Sequence, residues 1–213
     1  MSDNVSAADN QQGSPLCNLA NDPSETTRRS PFVDKSVCKA YLQGALHDGS
    51  QNRGNRIRFT QKYPVWLQRL KKLLSHLEHE SWTYKEGADR NVFCLETTAS
   101  FLDFAFNPLA SESQEARLAY VSGFFDAEGG IPRSSNVRFY VQLALKDCQK
   151  LERIKQILTR SDISCGKIHN PSSRVDPEYW RFYVSTKSHV DFARKITSLH
   201  PIKKPILRKR MKI

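Results

Sequence analysis

The chain of 213 residues lacks the features that define several protein classes. No stretch approaches the ~20 consecutive apolar residues of a membrane-spanning helix, and the first residues contain no apolar signal-peptide core. The five cysteines are scattered, odd in number and never spaced as C-x-x-C, which argues against a disulfide framework or a structural zinc site. We therefore expect a soluble intracellular protein with reduced thiols.

The sequence also lacks the short motifs of nucleotide hydrolysis and acyl transfer. It contains no P-loop, no GxGxxG and no nucleophile elbow. The six histidines show no metal-ligand spacing, and the three tryptophans have the settings of core or sheet-edge residues. An NTPase or an acyl-transfer enzyme therefore has no support in these residues.

Acidic residues are scarce outside the first 30 positions. The formal net charge is +11, and residues 1–30 hold four acids and two arginines, which leaves +13 on the remainder. Residues 1–33 are rich in polar residues and show no hydrophobic period, so we expect a disordered tail there. The basic remainder suits a polyanionic partner, of which nucleic acid is the commonest. Ribosome contact and simple solubility are the alternatives.

The most informative stretch is an apolar helical run that ends in Asp126, Glu128 and two glycines. One face of this helix carries small residues at positions i, i+3 and i+4, which allows another backbone to approach closely. The same spacing occurs earlier in the chain, where Asp48 stands in the place of Glu128. The two sets are Ala119, Ser122, Gly123 and Asp126, and Ala40, Gln43, Gly44 and His47.

The hydrophobic pattern after each of these helices also repeats, with Leu67 and Leu70 matching Leu151 and Ile154 at an offset of 84 residues. An internal duplication is the simplest explanation. The pattern predicts a mixed α/β protein whose halves span residues 34–110 and 111–213. The first half should contain helices at 34–47, 64–77 and 99–106 and strands at 56–61, 82–85 and 91–96. The second should contain helices at 113–126, 148–159 and 188–199 and strands at 136–145, 166–169 and 179–185.

The segment Tyr120 to Gly130 resembles the signature of the LAGLIDADG homing endonucleases. In that resemblance Gly123 is the inner glycine of the motif, Asp126 its first acid and Glu128 its second, metal-binding acid. The order of elements extends the resemblance over roughly residues 36–205. The first motif departs from the pattern, because Gly44 and Asp48 are four positions apart whereas Gly123 and Glu128 are five apart.

The resemblance implies two pseudo-symmetric αββαββα halves, with antiparallel saddle-shaped sheets in the major groove and paired motif helices at the centre. It implies a site-specific endonuclease that uses Mg²⁺ (or Mn²⁺) to hydrolyse one phosphodiester per strand across the minor groove. A monomer acting on double-stranded DNA with a long asymmetric target site is expected. The alternatives are a protein that binds nucleic acid without cutting it, such as an RNA maturase or a regulator with intron RNA as its partner, and a single-strand nickase.

The resemblance also assigns the site. Asp48 and Glu128 would be catalytic metal ligands, with Gly49 and Ala127 as neighbouring metal-site positions. The polar residue that supports the site at the end of the second strand would be Gln61 in the first half, whereas the second half has Leu145. Lys203 and Lys204 lie near the place of the family's lysine, and we assign Lys204 to the catalytic role; a basic tail that touches phosphate is the alternative.

Base and phosphate contacts would come from the outward residues of the strands and from nearby basic side chains. The alternative is that any antiparallel strand has a polar solvent face. The predicted DNA-binding residues are Arg53, Arg56, Arg58, Thr60, Lys62, Arg133, Arg138, Tyr140, Gln142, Lys146, Lys167, His169 and Arg181.

Overall fold

The computed structural model describes residues 31–87 and 89–213. Residues 1–30, most of the predicted tail, lie outside the described residues. Pro31–Val33 form a 3₁₀ turn, and the Phe32 ring packs edge-on against Tyr41 with ring centroids 5.3 Å apart. Residues 31–33, which were predicted as part of the tail, are therefore ordered against the first helix.

The first half places one four-stranded antiparallel sheet beside two helices. Its elements are α1 (Lys35–Ala45), β1 (Gly49–Asn52), β2 (Arg56–Gln61), α2 (Pro64–His76), β3 (Ser81–Lys85) and β4 (Phe93–Thr97). The strand order is β1-β2-β4-β3, with Phe59 opposite Leu95 in the pairing of β2 and β4. Ile57, Phe59 and Leu95 are buried, so one face of the sheet covers the core and the other is polar.

The second half has a smaller sheet. Its elements are α3 (Gln114–Glu128), β5 (Gln142–Leu145), α4 (Cys148–Arg160), β6 (Trp180–Tyr183), α5 (His189–Lys195) and α6 (Lys203–Met211). Strands β5 and β6 pair antiparallel, and isolated bridges join Cys165 and His169 to the β6 region. The predicted mixed α/β architecture with antiparallel sheets is confirmed.

Local chemistry explains where the main helices begin. The side chains of Asp34, Ser113 and Asp147 accept hydrogen bonds from backbone N–H groups at the starts of α1, α3 and α4, at 2.6, 3.0 and 2.9 Å. Each bond satisfies a donor that has no partner within the helix. Pro64 occupies the first turn of α2, where its missing N–H has no cost.

Four predicted elements differ from the structure. No helix forms at 99–106, because the side chain of Gln43 hydrogen-bonds both the N–H and the carbonyl of Asp103 and so takes backbone groups that a helix would need. The long strand at 136–145 is reduced to its last four residues, since Arg210 binds the carbonyls of Ser135 and Val137 at 2.8 and 2.9 Å. The segment 166–169 makes only isolated bridges, and the helix predicted at 188–199 is reduced to α5.

Two further findings concern membrane-spanning helices and disulfide bonds. No helix in the described part of the chain has the length and apolarity needed to cross a bilayer. Within the same residues the cysteines Cys38, Cys94, Cys148 and Cys165 are all free.

Candidate active site and nucleic-acid interface

The two motif helices pack backbone against backbone at Gly44 and Gly123. A Cβ atom added to Gly44 would lie 1.9 Å from the carbonyl oxygen of Tyr120, and one added to Gly123 would lie 2.0 Å from that of Tyr41. No side chain fits at such a distance, so glycine is required at both positions for this approach. The small face predicted for each helix is therefore the contact surface between α1 and α3.

We call this contact surface the seam. The acid follows the glycine by four residues in the first motif and by five in the second, yet the two acids lie equally far along their helices. The four residues after Gly44 pass from α1 into a 3₁₀ turn at Leu46–Asp48, whereas the five residues after Gly123 stay in α3. A 3₁₀ residue rises about 2.0 Å and an α-helical residue about 1.5 Å, so both paths advance about 7.5 Å along the helix. The shorter first motif thus carries Asp48 as far along its helix as the second motif carries Glu128.

Asp126, the first acid of the second motif, holds the seam to the C-terminal region. Its fully buried carboxylate accepts hydrogen bonds from Tyr41 Oη at 2.5 Å, Ser198 Oγ at 2.5 Å, and the backbone N–H groups of Leu199 and His200 at 2.6 and 3.0 Å. Burial raises the pKa of Asp126, and these donors oppose that shift. Because its carboxylate is buried and accepts four hydrogen bonds from within the protein, Asp126 is a structural group.

Asp48 is the half-buried carboxylate of the first half. Gln61 Nε2 donates to its Oδ2, as the resemblance implies for an amide at this strand end. Burial and the charge of Glu128 raise the pKa of Asp48 to about 6, against the opposing effects of Gln61 and Lys203. The charge of Glu128 thus acts on Asp48 across the packed helices.

Glu128 occupies a more open position at the end of α3. Glu128 is exposed to solvent as a residue. Neighbouring atoms nevertheless desolvate its carboxyl group in part and raise its pKa, while the charge of Lys203 lowers that pKa. Leu145, the counterpart of Gln61, packs against the hydrophobic core. Within residues 31–87 and 89–213 we find no hydrogen bond to the carboxylate of Glu128, so the two half-sites differ.

Lys203, at the start of α6, is the lysine that reaches these acids. Its Nζ donates to the carbonyls of Phe125 and Asp126 at 2.7 and 2.8 Å, at the C-terminal end of α3, where the helix dipole favours a cation. Burial lowers the pKa of Lys203 to about 8, although the charges of Asp126, Glu128 and Asp48 favour its protonated form. The catalytic role was predicted for Lys204, and its neighbour Lys203 is the lysine whose Nζ contacts the end of α3.

The carboxylate oxygens of Asp48 and Glu128 suit a divalent cation that would bind together with the substrate. No cluster of three or more His, Cys, Asp or Glu side chains that could hold a metal ion occurs in the described part of the chain. Asp48 and Glu128 are, however, two carboxylates whose charges oppose each other, and a cation between them would relieve that repulsion. Mg²⁺ binds in this way, with one or two carboxylates and the remaining positions taken by waters and phosphate oxygens.

The polar face of the first sheet is a connected network around Glu96. The carboxylate of Glu96 accepts hydrogen bonds from Asn52 at 2.8 Å, Arg58 at 2.9 Å and Tyr84 at 2.8 Å, and Arg56 lies 3.6 Å away. These side chains cover Glu96, which is 3% exposed. Arg56 and Arg58 are therefore on the predicted face, but their guanidinium groups are held by an acid that the sequence analysis missed. Alternation along β4 could have shown that Glu96 shares their face.

The remaining predicted DNA-binding residues lie at the surface in separate places. The structure places Arg53 in the turn between β1 and β2, and Thr60 and Lys62 at the exposed end of β2. Arg133 and Arg138 lie in the loop before β5, and Lys146 directly follows this strand. On the second sheet the structure brings together Tyr140, Gln142, His169, Arg181 and Tyr183, with Lys167 two residues from His169.

Comparison with known proteins agrees with this geometry. Residues 115–197 match the model of the LAGLIDADG-like domain. No curated protein matches the chain. The structure of I-DmoI in complex with DNA and Mn aligns with a TM-score of 0.58 and 19% identity, over 78% of this chain and 99% of that chain. The structure of I-DmoI with DNA and Ca, and that of an I-DmoI variant with its target DNA in the presence of Mg, also align.

A second group of similar structures comes from WhiA. Its N-terminal LAGLIDADG domain aligns with a TM-score of 0.62 and 16% identity, over 86% of this chain and 90% of that chain. Full-length WhiA from Thermatoga maritima aligns with the same score and identity, over 87% of this chain and 64% of that chain. Residues 115–197 thus resemble a LAGLIDADG-like domain, and the described chain has the fold of these structures.

Proposed function

We propose that this chain is a site-specific, Mg²⁺-dependent endonuclease that cleaves both strands of a DNA duplex across the minor groove. The observation that carries the proposal is the backbone contact of the two motif helices, after which Asp48 and Glu128 follow at equal advance, with Lys203 bound to the end of α3. One chain supplies both acids from its halves, residues 34–110 and 111–213. It can therefore act as a monomer on a long asymmetric target, as expected for a two-motif homing endonuclease encoded within an intron.

The residues at the seam would divide the chemistry as follows. Asp48 and Glu128 would hold Mg²⁺ (or Mn²⁺), with Gly49 and Ala127 adjacent in the chain. Such an ion, when bound, makes a water more acidic and stabilises the leaving alkoxide. Gln61 fixes the orientation of the Asp48 carboxylate through its amide N–H. Lys203 brings positive charge to the same recess, and we assign it the catalytic role first given to Lys204.

The two half-sites should cut at different rates. The first half has Gln61 hydrogen-bonded to its acid, whereas the matching position of the second half is Leu145, which cannot hold a water. We therefore expect one strand to be cut first, so that nicked circles accumulate before linear product during digestion of a supercoiled plasmid.

The test separates this proposal from its rivals. Sequences bound by the protein are first selected from a randomised duplex library without Mg²⁺ and then cloned into a supercoiled plasmid. Linear product with Mg²⁺ supports the endonuclease, open circles alone support a nickase, and a shifted but intact band supports a protein that only binds. Glu128→Gln should lose cleavage and keep binding, while Glu115→Gln, an exposed change at the far end of the same helix, should keep both.

The second candidate function is nucleic-acid binding without cleavage, by a regulator or an RNA maturase. It is favoured by Leu145 and by the absence, among the described residues, of a hydrogen-bonding partner for Glu128. In that case Glu128→Gln would leave nucleic-acid binding intact, and the wild type would show no cleavage for the variant to lose.

A further inference from the structure

The outward face of the second sheet is built from aromatic rings. Tyr183 lies at its centre, with its ring centroid 5.9 Å from that of Tyr140 and 6.4 Å from that of His169, to which it is nearly parallel. The guanidinium of Arg181 lies 5.4 Å from the Tyr183 centroid. Gln142, directly opposite Tyr183 across the strands, donates to Tyr179 Oη at 3.0 Å. We call Tyr140, His169, Arg181 and Tyr183 the Tyr183 platform.

These rings do not belong to the core. Phe182 and Val184 alternate with Tyr183 along the chain and are buried on the opposite face of the sheet. Tyr140 is 38% exposed, and His169 is exposed as well. A large ring left in water gains nothing for folding, so an exposed group of them on one face points to a ligand with flat apolar surfaces.

The platform is also held in a fixed arrangement. His169 Nδ1 lies 3.3 Å from the carbonyl of Lys167, and its Nε2 accepts a hydrogen bond from Arg181 Nε at 3.4 Å. Contacts on both ring nitrogens fix the imidazole plane before any ligand arrives. Side chains held in this way lose little conformational entropy on binding.

The loop that leads into β5, beside the platform, is positively charged. Residues 131–145 contain Arg133 and Arg138 and no acid, and Lys167 adds a third cation near His169. The face of the first sheet differs, because its arginines are tied to Glu96 and Glu86. Cations beside exposed rings suit a chain of phosphates that carries flat bases, and the first sheet does not offer this combination.

We propose that the Tyr183 platform binds single-stranded nucleic acid, with unpaired bases stacked on Tyr140 and His169 and phosphates near Arg138 and Lys167. In a duplex each base is covered above and below by its neighbours and presents only its edges in the grooves. Rings can stack on bases only where the strand is unpaired. The inference therefore goes beyond the cleavage of duplex DNA and does not depend on it.

The test measures equilibrium binding of the full chain to three labelled oligonucleotides, single-stranded RNA, single-stranded DNA and duplex DNA, in EDTA. The variants are Tyr140→Leu and His169→Leu, with Tyr63→Leu as the matched control, because Tyr63 is 55% exposed at the start of α2. We expect each platform variant to weaken single-strand binding by about 5- to 100-fold, the range of one lost stacking contact. Duplex affinity should fall clearly less than single-strand affinity, because a duplex offers these side chains only base edges and phosphates, and the thermal midpoint should stay within a few degrees of wild type.

Each result of the binding measurements supports or contradicts the proposed role of the Tyr183 platform. A larger loss on the single strands than on the duplex supports the platform, and a preference for RNA or DNA among them identifies the natural strand. Equal loss on single strands and duplex, an effect of Tyr63→Leu as large as that of the platform variants, or no single-strand binding by the wild type would overturn it. Plasmid cleavage by the same preparations is scored separately, so that loss of one proposal leaves the other standing.

Discussion

Replacing Asp48 by asparagine should stabilise the protein in the absence of divalent cations. Burial and the charge of Glu128 raise the pKa of Asp48 from 3.8 to about 6, so the folded state disfavours its ionised form. A shift of about two pKa units corresponds to about 3 kcal/mol. The opposing effects of Gln61 and Lys203 are already contained in this net shift, so we expect a gain of up to about 3 kcal/mol at pH 8.

The stability that Asp48→Asn gains over the wild type should increase with pH. A group whose pKa is raised on folding contributes stability that is present below its unfolded pKa and is lost as pH rises through its folded pKa. The wild type should therefore lose stability relative to Asp48→Asn between about pH 4 and pH 6, and the difference should be level above that range. At pH 5 the gain should be about half of its value at pH 8.

The assay is urea-induced unfolding of both proteins in EDTA at pH 8 and pH 5. Asp89→Asn is the control, since Asp89 is exposed and its substitution should change stability by less than about 0.5 kcal/mol. Addition of Mg²⁺ should stabilise the wild type more than Asp48→Asn, because binding to the folded state adds to its stability. A variant that is no more stable than the wild type at pH 8 in EDTA would show that Asp48 is not held in a desolvated, repulsive site.

Three other variants test the seam and the lysine assignment. Gly123→Ala should cost about 3 kcal/mol or more in urea unfolding, because its Cβ would lie 2.0 Å from a backbone oxygen, whereas Gly166→Ala, with 3.5 Å available, should be nearly neutral; equal effects would contradict the close approach. Tyr41→Phe should lower stability by about 1 to 3 kcal/mol, since Asp126 loses a donor and Trp66 Nε1 loses the oxygen that it bonds at 3.1 Å, and an unchanged midpoint would refute this. Lys203→Met should slow plasmid cleavage at least tenfold at unchanged duplex affinity while Lys204→Met cuts normally, and the reverse result would restore the assignment to Lys204.

The parts of the fold that the sequence predicts well are those whose local signals agree with the tertiary structure. Strand β2 has the predicted bounds, and α2 and α4 end within one residue of theirs. Alternation, a proline in the first turn and an Asp cap act within a few residues, so they can be read from sequence. The seam was also predictable, because Gly44 and Gly123 lie among small residues at helical spacing.

The parts that sequence reasoning missed depend on contacts between distant residues. Gln43 takes the backbone groups of Asp103, and Arg210 takes the carbonyls of Ser135 and Val137, so a helix and most of a strand are lost to side chains 60 and more residues away. The sequence KKPILRKRM has the charge of a tail, and it forms α6 with Leu207 as its buried residue.

Contacts between distant residues also limited what could be predicted of the candidate site. The pair Asp48 and Glu128 followed from the motif, as did Gln61. Lys203 and Lys204 are adjacent, and no local signal distinguishes them; our proposal of Lys203 rests on its contacts with the carbonyls of Phe125 and Asp126 at the end of α3. Glu96 was overlooked because an acid was not expected on a face assigned to DNA.

The measurement that tests the central claim most directly is digestion of a randomised duplex library with Mg²⁺, followed by sequencing of the ends, for the wild type and Glu128→Gln. We expect cut ends that share one target and one short 3′ overhang, and the loss of those ends in the variant while binding persists. Enrichment of bound sequences without any cut ends in the wild type, or equal cutting by Glu128→Gln, would contradict the claim.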